Sequence, residues 1–432
     1  MATRSILHLT PHLGGGVGKA VSGMIGQSVR AEADRLHRVI CFERPEKTQF
    51  VARADQAGAD IAFCPDEAAL AEAVAATDIV QLEFWNHPAI PKMLCTTPLP
   101  PMRLLVWCHV SGLHHPKLPA GLIDIADRIL FTSACSYEGE EVKEWVAAGH
   151  GDRLGVVSSG GGLGSLPPPG ERTGGALRAG YLGSLNFSKL HPDFVSFAAA
   201  IRQDGFRVRM IGDETNRAEL ERQCRATGKP DLLEFLGYRP DVAAELADLD
   251  VLIYLLNPTH YGTAENALIE AMAMDVVPIV LPNAAERHIV TDRQTGLMIR
   301  TPDELAAAIE WLETHPEERH AMGQRAAAFA REQFRQDRME QDFSRHYEAL
   351  MQRPKRAIPF SKAFGDTPAD WFLAFQRQAA EFGDDGSIPQ TGALQRHGLI
   401  ERSKGSAFHF LHHFPEDLRL KRWTASLTRQ EP

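Results

Sequence analysis

Val251-Leu252-Ile253-Tyr254-Leu255-Leu256 runs into Asn257-Pro258-Thr259-His260-Tyr261-Gly262-Thr263, and Glu265-Asn266-Ala267-Leu268-Ile269-Glu270-Ala271-Met272-Ala273 follows. The first stretch has the length and unbroken apolarity of a buried strand. The second is rich in turn formers, and the third reads as a helix. The apolar run Val276–Leu281 is a further strand. Strand, loop, helix and strand in this order build a parallel sheet. The loop lies where such sheets hold phosphorylated ligands, at a strand's carboxyl end and a helix's amino end. Glu270 and Asn266, four apart, share one helical face. Glu265 would point about 140° away from Glu270 if both were helical, so the two acids can act together only if Glu265 lies in the loop. The apolar flanks of Glu270 favour a buried, partnered carboxylate over a solvated helix acid.

The same alternation extends in both directions. Ile6–Thr10, Arg38–Phe42, Ile79–Phe84, Leu104–His109, Arg128–Thr132 and Leu154–Ser158 read as strands, with Ala-rich helical patterns such as Glu67–Ala76 between them. Pro167-Pro168-Pro169-Gly170 breaks the pattern, which restarts with Arg178–Leu182, Arg207–Ile211 and Leu233–Leu236. The expected class is therefore α/β, two doubly wound Rossmann-like domains. Residues 1–170 form the first and residues 171–353 the second, which includes one long helix over 317–351. Residues 354–432 form an accessory extension. There, Thr367-Pro368 opens a helix that Gly383 closes. From Thr391 onward seven Lys/Arg stand against four acids, with four histidines and Trp423 among them.

Composition excludes several classes. Hydrophobic residues make up 44% and charged residues 24% of the 432 positions, an ordinary globular balance. No apolar run reaches the ~18 residues of a membrane span, and the start has no cleavable apolar core, so a cytoplasmic protein is expected. Six cysteines without a C-x-x-C pair read as free thiols. A net charge of −10 argues against nucleic acid as a partner. The basic tail with Trp423 offers a peripheral contact to the inner face of a membrane, or else a solvated cap.

A second loop invites an anion. Pro11-His12-Leu13-Gly14-Gly15-Gly16-Val17-Gly18-Lys19 leaves the first strand and enters a helix. Glycines admit close approach of a ligand to backbone amides, yet a plain tight turn fits the loop equally. Ala20 breaks a Walker frame, and the dinucleotide spacing is absent. Glu83 and His87, near a strand's carboxyl end, line a ligand site or form an ion pair. His409, His412 and His413 have no Cys or carboxylate at ligand spacing, so packing is preferred and no metal is expected.

Asn257 to Ile299 resembles the signature of family-4 glycosyltransferases of the GT-B type: a proline-containing turn, a glycine loop, a Glu-Ala-Met-Ala helix, a Val-Pro-Ile-Val strand, and Thr295-Gly296-Leu297 as its close. Other landmarks over roughly residues 5–350 are similar. Gly14–Gly18 resembles the loop that faces donor and acceptor. Leu105–His109 resembles the strand whose closing histidine contacts the donor sugar, and Phe131-Thr132-Ser133 a further strand end. Tyr181–Leu185 with Lys189 resembles the segment that holds the donor diphosphate. Met210–Asp213 and Phe235–Tyr238 match two more.

The resemblance implies two domains facing across a cleft. A sugar would move from a nucleotide-sugar donor to a glycan, lipid-linked or small-molecule acceptor, with retained configuration and without metal or cofactor. It implies His109, Lys189 and Glu270 as catalytic residues. Gly15, Gly16, Ser184, Glu265, Asn266 and Ala267 would bind the donor. Three positions depart from the family pattern: Gly262 stands for its first acid, Ser184 for its diphosphate arginine, and Ser159-Gly160 for Asn-Gly. These departures keep open a GT-B protein that binds nucleotide or glycan without turnover. An epimerase or phosphorylase on the same fold is the third reading.

Overall fold

The computed structural model describes residues 3–31, 34–160, 163, 166–170 and 176–429. Two parallel sheets organise the chain. The first contains β1 (Arg4–Thr10), β2 (Arg35–Cys41), β3 (Asp60–Phe63), β4 (Ile79–Phe84), β5 (Leu104–Cys108), β6 (Arg128–Phe131) and β7 (Leu154–Val156). Its order is β3-β2-β1-β4-β5-β6-β7. The second contains β8 (Ala179–Leu182), β9 (Val208–Ile211), β10 (Leu233–Gly237), β11 (Val251–Tyr254), β12 (Val277–Val280) and β13 (Leu297–Met298), in the order β10-β9-β8-β11-β12-β13. The α/β, doubly wound GT-B class read from the sequence is the class observed. β8, β11 and β12 are buried throughout, which is why these runs read as apolar stretches, and β4 is equally buried although it carries Gln81 and Glu83. β3 is an edge strand of intermediate burial, and β13 has two residues, too little for a periodic signal.

In each sheet the strand order reverses beside the first strand, between β1 and β4 and between β8 and β11. Ligands of open α/β sheets gather at the carboxyl ends of strands at such a switch point. The glycine loop leaves β1 at one of them, and the loop 257–265 leaves β11 at the other.

The chain forms two compact units, divided differently from the sequence reading. Residues 1–160, 261–264 and 336–432 make one, residues 161–260 and 265–335 the other. The joint expected near residue 170 runs into 171–175, which lie outside the described residues. The expected long helix is two helices, Pro316–Gln333 and Gln336–Met351. Phe334 leaves the helical path at φ −109°, ψ 28°. The reason is that one apolar stripe serves two cores. Phe329 and Phe334 pack on the second unit's core, while Phe343 and Tyr347 are buried in the first. Residues 336–353 therefore belong to the first unit, not the second.

The segment after residue 353 is not an accessory. Thr367 and Asp370 cap the helix Pro368–Leu373 reciprocally, and this helix ends ten residues before Gly383. Phe364, Phe372, Phe375, Phe410 and Trp423 are sealed in one cluster with Leu82, Phe84, Val106 and Phe131 of the first sheet. Trp423 Nε1–H donates to the Gly383 carbonyl (2.8 Å) from a fully buried position, so it is not available to a membrane. No helix among the described residues is long and apolar enough to cross a membrane.

Candidate functional site

In the first unit the glycine loop is shaped by two particular glycines. Gly15 sits at φ +62°, where a side chain is strained, and a Cβ on Gly18 would meet the Leu13 carbonyl oxygen at 2.1 Å. The loop then enters the helix Gly15–Arg30 with Gly15 and Gly16 exposed and no acid in the first turn. Its leading amides have no partner inside the helix and sit at the positive end of its dipole. The same residues thus set the local geometry and present the leading amides of the helix.

His109 follows β5 and donates from Nε2 to Glu83 Oε2 (2.8 Å). Glu83 ends β4's inward row, fully buried, and its Oε1 accepts from His8 Nδ1 (2.9 Å) and Gln81 Nε2 (2.8 Å). The chain of contacts continues from His8 Nε2 to His37 Nδ1 (3.0 Å) and from His37 Nε2 to the Ser28 hydroxyl (3.0 Å). Burial, with His8 and Arg35 close by, holds the His37 imidazolium well below its usual range, so His37 is neutral. One consistent assignment has Ser28 donating to His37, His37 to His8, and both His8 and His109 to Glu83. Burial pushes the Glu83 carboxyl up, but the two histidine donors outweigh it and leave it below the ordinary value of 4.5.

A carboxyl lowered on folding stabilises above its unfolded value and loses that contribution as pH falls through its folded one. Glu83→Gln should therefore cost about 1–3 kcal/mol at pH 7 and flatten the fall of stability on the acid side. Denaturant titrations at several pH values check this. An acid limb identical to wild type would remove the assignment.

In the second unit, Glu265 caps the helix Asn266–Ala273 in left-handed conformation, φ 37°, ψ 59°. A side chain rarely adopts that conformation, and it concentrates at functional sites. This placement puts Glu265 in the loop, off the helical register. Its side chain is 1% exposed and lies 3.2 Å from Lys189 Nζ. The Tyr254 hydroxyl donates to Glu265 Oε2 (2.5 Å), and His260 Nδ1 stands 3.7 Å from Oε1. On its other side His260 Nε2 meets Glu286 at 3.3 Å. Burial raises the Glu265 carboxyl, yet Lys189, His260 and Tyr254 outweigh that and keep it ionised below the usual range. Burial lowers the His260 imidazolium, and the two carboxylates more than reverse it.

Lys189 is held from its own side as well. The Asn257 amide N–H donates to the Lys189 carbonyl (2.7 Å), and Asn257 Nδ2 donates to the Phe187 carbonyl (2.8 Å). Ser184 accepts from Asn186 Nδ2 (2.9 Å) on its hydroxyl. Glu270 is 3% exposed on the helix face it shares with Asn266, while Asn266 and Ala267 reach the surface in part.

The structure thus gathers Lys189 and Glu265, next to the start of the helix carrying Asn266, Ala267 and Glu270. His109, Gly15 and Gly16 belong to the first unit, at the ends of β5 and β1. Three partners escaped the sequence reading: Tyr254, His260 and Glu286. Of the two readings of Glu83, a ligand site or an ion pair, the pair is the one observed: it lies beneath His109 and contacts His8 as well. Its signal was present: His8, Gln81 and Glu83 are polar residues inside strands otherwise wholly apolar, and a buried polar residue needs partners.

Residues 171–329 match the family model described as "Glycosyl transferases group 1". Solved structures share the fold over about four fifths of the chain. A glycosyltransferase from Rickettsia africae is 12% identical with a TM-score of 0.62, covering 82% of this chain and 100% of its own. Two parallel sheets of this order, the group 1 domain and that fold agree. The second unit carries a group 1 glycosyl transferase domain, and the chain has the GT-B fold. HepE of Anabaena, solved in complex with UDP, resembles this chain at 14% identity and a TM-score of 0.60, over 80% of this chain and 100% of its own. Sucrose-phosphate synthase from Thermosynechococcus elongatus does so at 14% identity and 0.58, over 81% and 99%. No curated protein matches this chain at a significant level.

Proposed function

We propose that this protein is a glycosyltransferase that moves a sugar from a nucleotide-sugar donor to a glycan or related hydroxyl acceptor, with retained configuration and no metal in the chemical step. The observation that carries this reading is the buried Lys189–Glu265–Tyr254 constellation beside the start of the helix Asn266–Ala273. When the bond to the sugar breaks, negative charge grows on the departing diphosphate, and a fixed ammonium with helix-end amides stabilises that charge. Lys189, a fifth exposed, is the cation able to reach it. Glu265 is too deeply buried to touch the sugar and acts through Lys189, holding its ammonium in place. With Ser184 standing where the family has arginine, Lys189 carries the diphosphate charge without a second side-chain cation there.

Glu270 accepts from the ribose hydroxyls in this reading; within the first unit, His109 is the group suited to a sugar and the exposed amides of Gly15 and Gly16 are suited to an anion. HepE was solved with UDP, which makes UDP the first ligand to test. Glu270→Gln removes a charged acceptor while keeping size, and charge-assisted hydrogen bonds contribute about 1.5–3 kcal/mol. Nucleoside diphosphate affinity should fall at least about tenfold with folding intact. An unchanged calorimetric isotherm would sink the role of Glu270. Gly262 and Ser184 favour one other reading, a binder without turnover. Release of nucleoside diphosphate from the donor, with sugar appearing on an acceptor or on water, separates the two.

A further inference from the structure

Glu43, His87, His409 and His413 are scattered in the chain, and the fold gathers them. Glu43 follows β2, and His87 lies in the loop after β4. His409 and His413 are one turn apart on the helix Ala407–His413, so they project from one face. One ring nitrogen each of His87, His409 and His413 lies within 4.8 Å of the others. The rings meet edge-on, with centroids 4.7 Å apart for His87 and His409, 4.9 Å for His409 and His413, and 5.4 Å for His87 and His413. Glu43 bridges two of them, with Oε2 3.5 Å from His87 Nε2 and Oε1 3.3 Å from His413 Nε2.

We propose that His87, His409, His413 and Glu43 bind one zinc ion, which fastens the C-terminal helix Ala407–His413 to the first sheet. Three imidazoles and one carboxylate, on separate elements and converging on one point, form a zinc donor set. Calcium and magnesium are disfavoured because they require oxygen ligands. Tetrahedral ligation at ~2.0–2.1 Å places ligand nitrogens roughly 3.3 Å apart, so the rings draw together by about an ångström. Two hydrogen bonds adjust. His87 Nδ1 accepts from the Ala89 amide (3.2 Å) and His409 Nδ1 from the Gly405 amide (2.8 Å). A neutral imidazole ligating through one nitrogen carries its proton on the other, so these amides turn away on binding.

Lys404, 3.0 Å from His12 Nε2, and Lys92 are the cations beside Glu43. Glu43 is the one carboxylate in contact with these rings among the described residues, and it offsets part of the added charge. The His12 ring lies 5.8 Å from that of His87, and His12 Nδ1 accepts from the Gly14 amide (3.0 Å). The ion therefore sits directly behind the glycine loop, in a structural role that leaves the transfer chemistry metal-free.

The test is titration of the full-length, chelator-stripped protein with zinc sulfate by calorimetry, and with cobalt(II) in the visible. One equivalent should bind, the unfolding temperature should rise, and cobalt should show the intense visible bands of a four-coordinate site. His413→Gln, at the helix end, should lose affinity by more than about tenfold, the lower end of what losing even an outer partner of a ligand costs. Glu43→Gln, at a partly exposed position, repeats the test if His413→Gln folds poorly. Absence of saturable binding at one equivalent in wild type would overturn the proposal. So would zinc bound by the folded variants as tightly as by wild type.

Discussion

Deleting residues 357–432 should abolish the soluble, folded protein and not merely its action on an acceptor. Thirteen of the 41 buried residues in the cluster under the first sheet come from this segment, among them Phe364, Phe372, Phe375, Phe410 and Trp423. Each such side chain contributes about 1.5–3 kcal/mol on burial, and a whole domain is stable by only ~5–15 kcal/mol. The deletion also uncovers the other side of the contact, including Phe84, whose ring sits 6.3 Å from that of Phe364 and 5.9 Å from that of Phe375. Polar ties go with it, such as the one from Asn86 Nδ2–H to the Gly405 carbonyl (3.3 Å). Size-exclusion chromatography and circular dichroism of the truncated chain provide the check. A monomeric product with wild-type melting would show that the segment is a removable cap after all.

Lys189→Ala should lose both donor turnover and stability, and the second loss should be separable from the first. Removing one partner of a buried pair leaves the other charge without compensation, at a cost of about 3–5 kcal/mol. Tyr254 and His260 remain beside Glu265, so about 3 kcal/mol is expected, or roughly 6–12 °C in the melting of a unit this size. Glu265→Gln in the same chain removes the stranded charge and should recover most of that stability, a coupling that a double-mutant cycle reads directly. Turnover should stay low in the double variant, because no ammonium faces the departing diphosphate. If the double variant regained turnover together with stability, Lys189 would be a structural residue and the proposed role would fall.

The parallel sheets were legible because their strands are buried on both faces and read as apolar runs with turn residues between them. Gly14–Gly18 and His109 stand out in the sequence because they follow strand ends, and Glu270 because its flanks in the helix Asn266–Ala273 are apolar. What escaped depends on distance in the chain. Nothing local tells that the stripe through Phe329, Phe334, Phe343 and Tyr347 splits between two cores, since its periodicity hardly falters at Phe334. The tail was read by its charge, and its aromatic residues, from Phe360 to Trp423, carried the stronger message of burial. Glu265 was placed correctly only as a condition, because left-handed backbone at a glutamate has no propensity signal. The carboxylate beside His413 lies 370 positions upstream, at Glu43, beyond any spacing rule.

The division of the chain bears on how it is made. Residues 161–260 and 265–335 interrupt the first unit, whose apolar cluster is closed by residues 360–427. During synthesis at ~5–20 residues per second, the half-built first unit waits on the order of 10–40 s for the segment that seals it. Its open apolar face is exposed to chaperones and to other nascent chains throughout. The second unit, almost continuous in sequence, can reach its native packing meanwhile. Codon choice or growth temperature that lengthens the wait should lower yield through the first unit alone, and aggregates should contain a folded second unit resistant to protease.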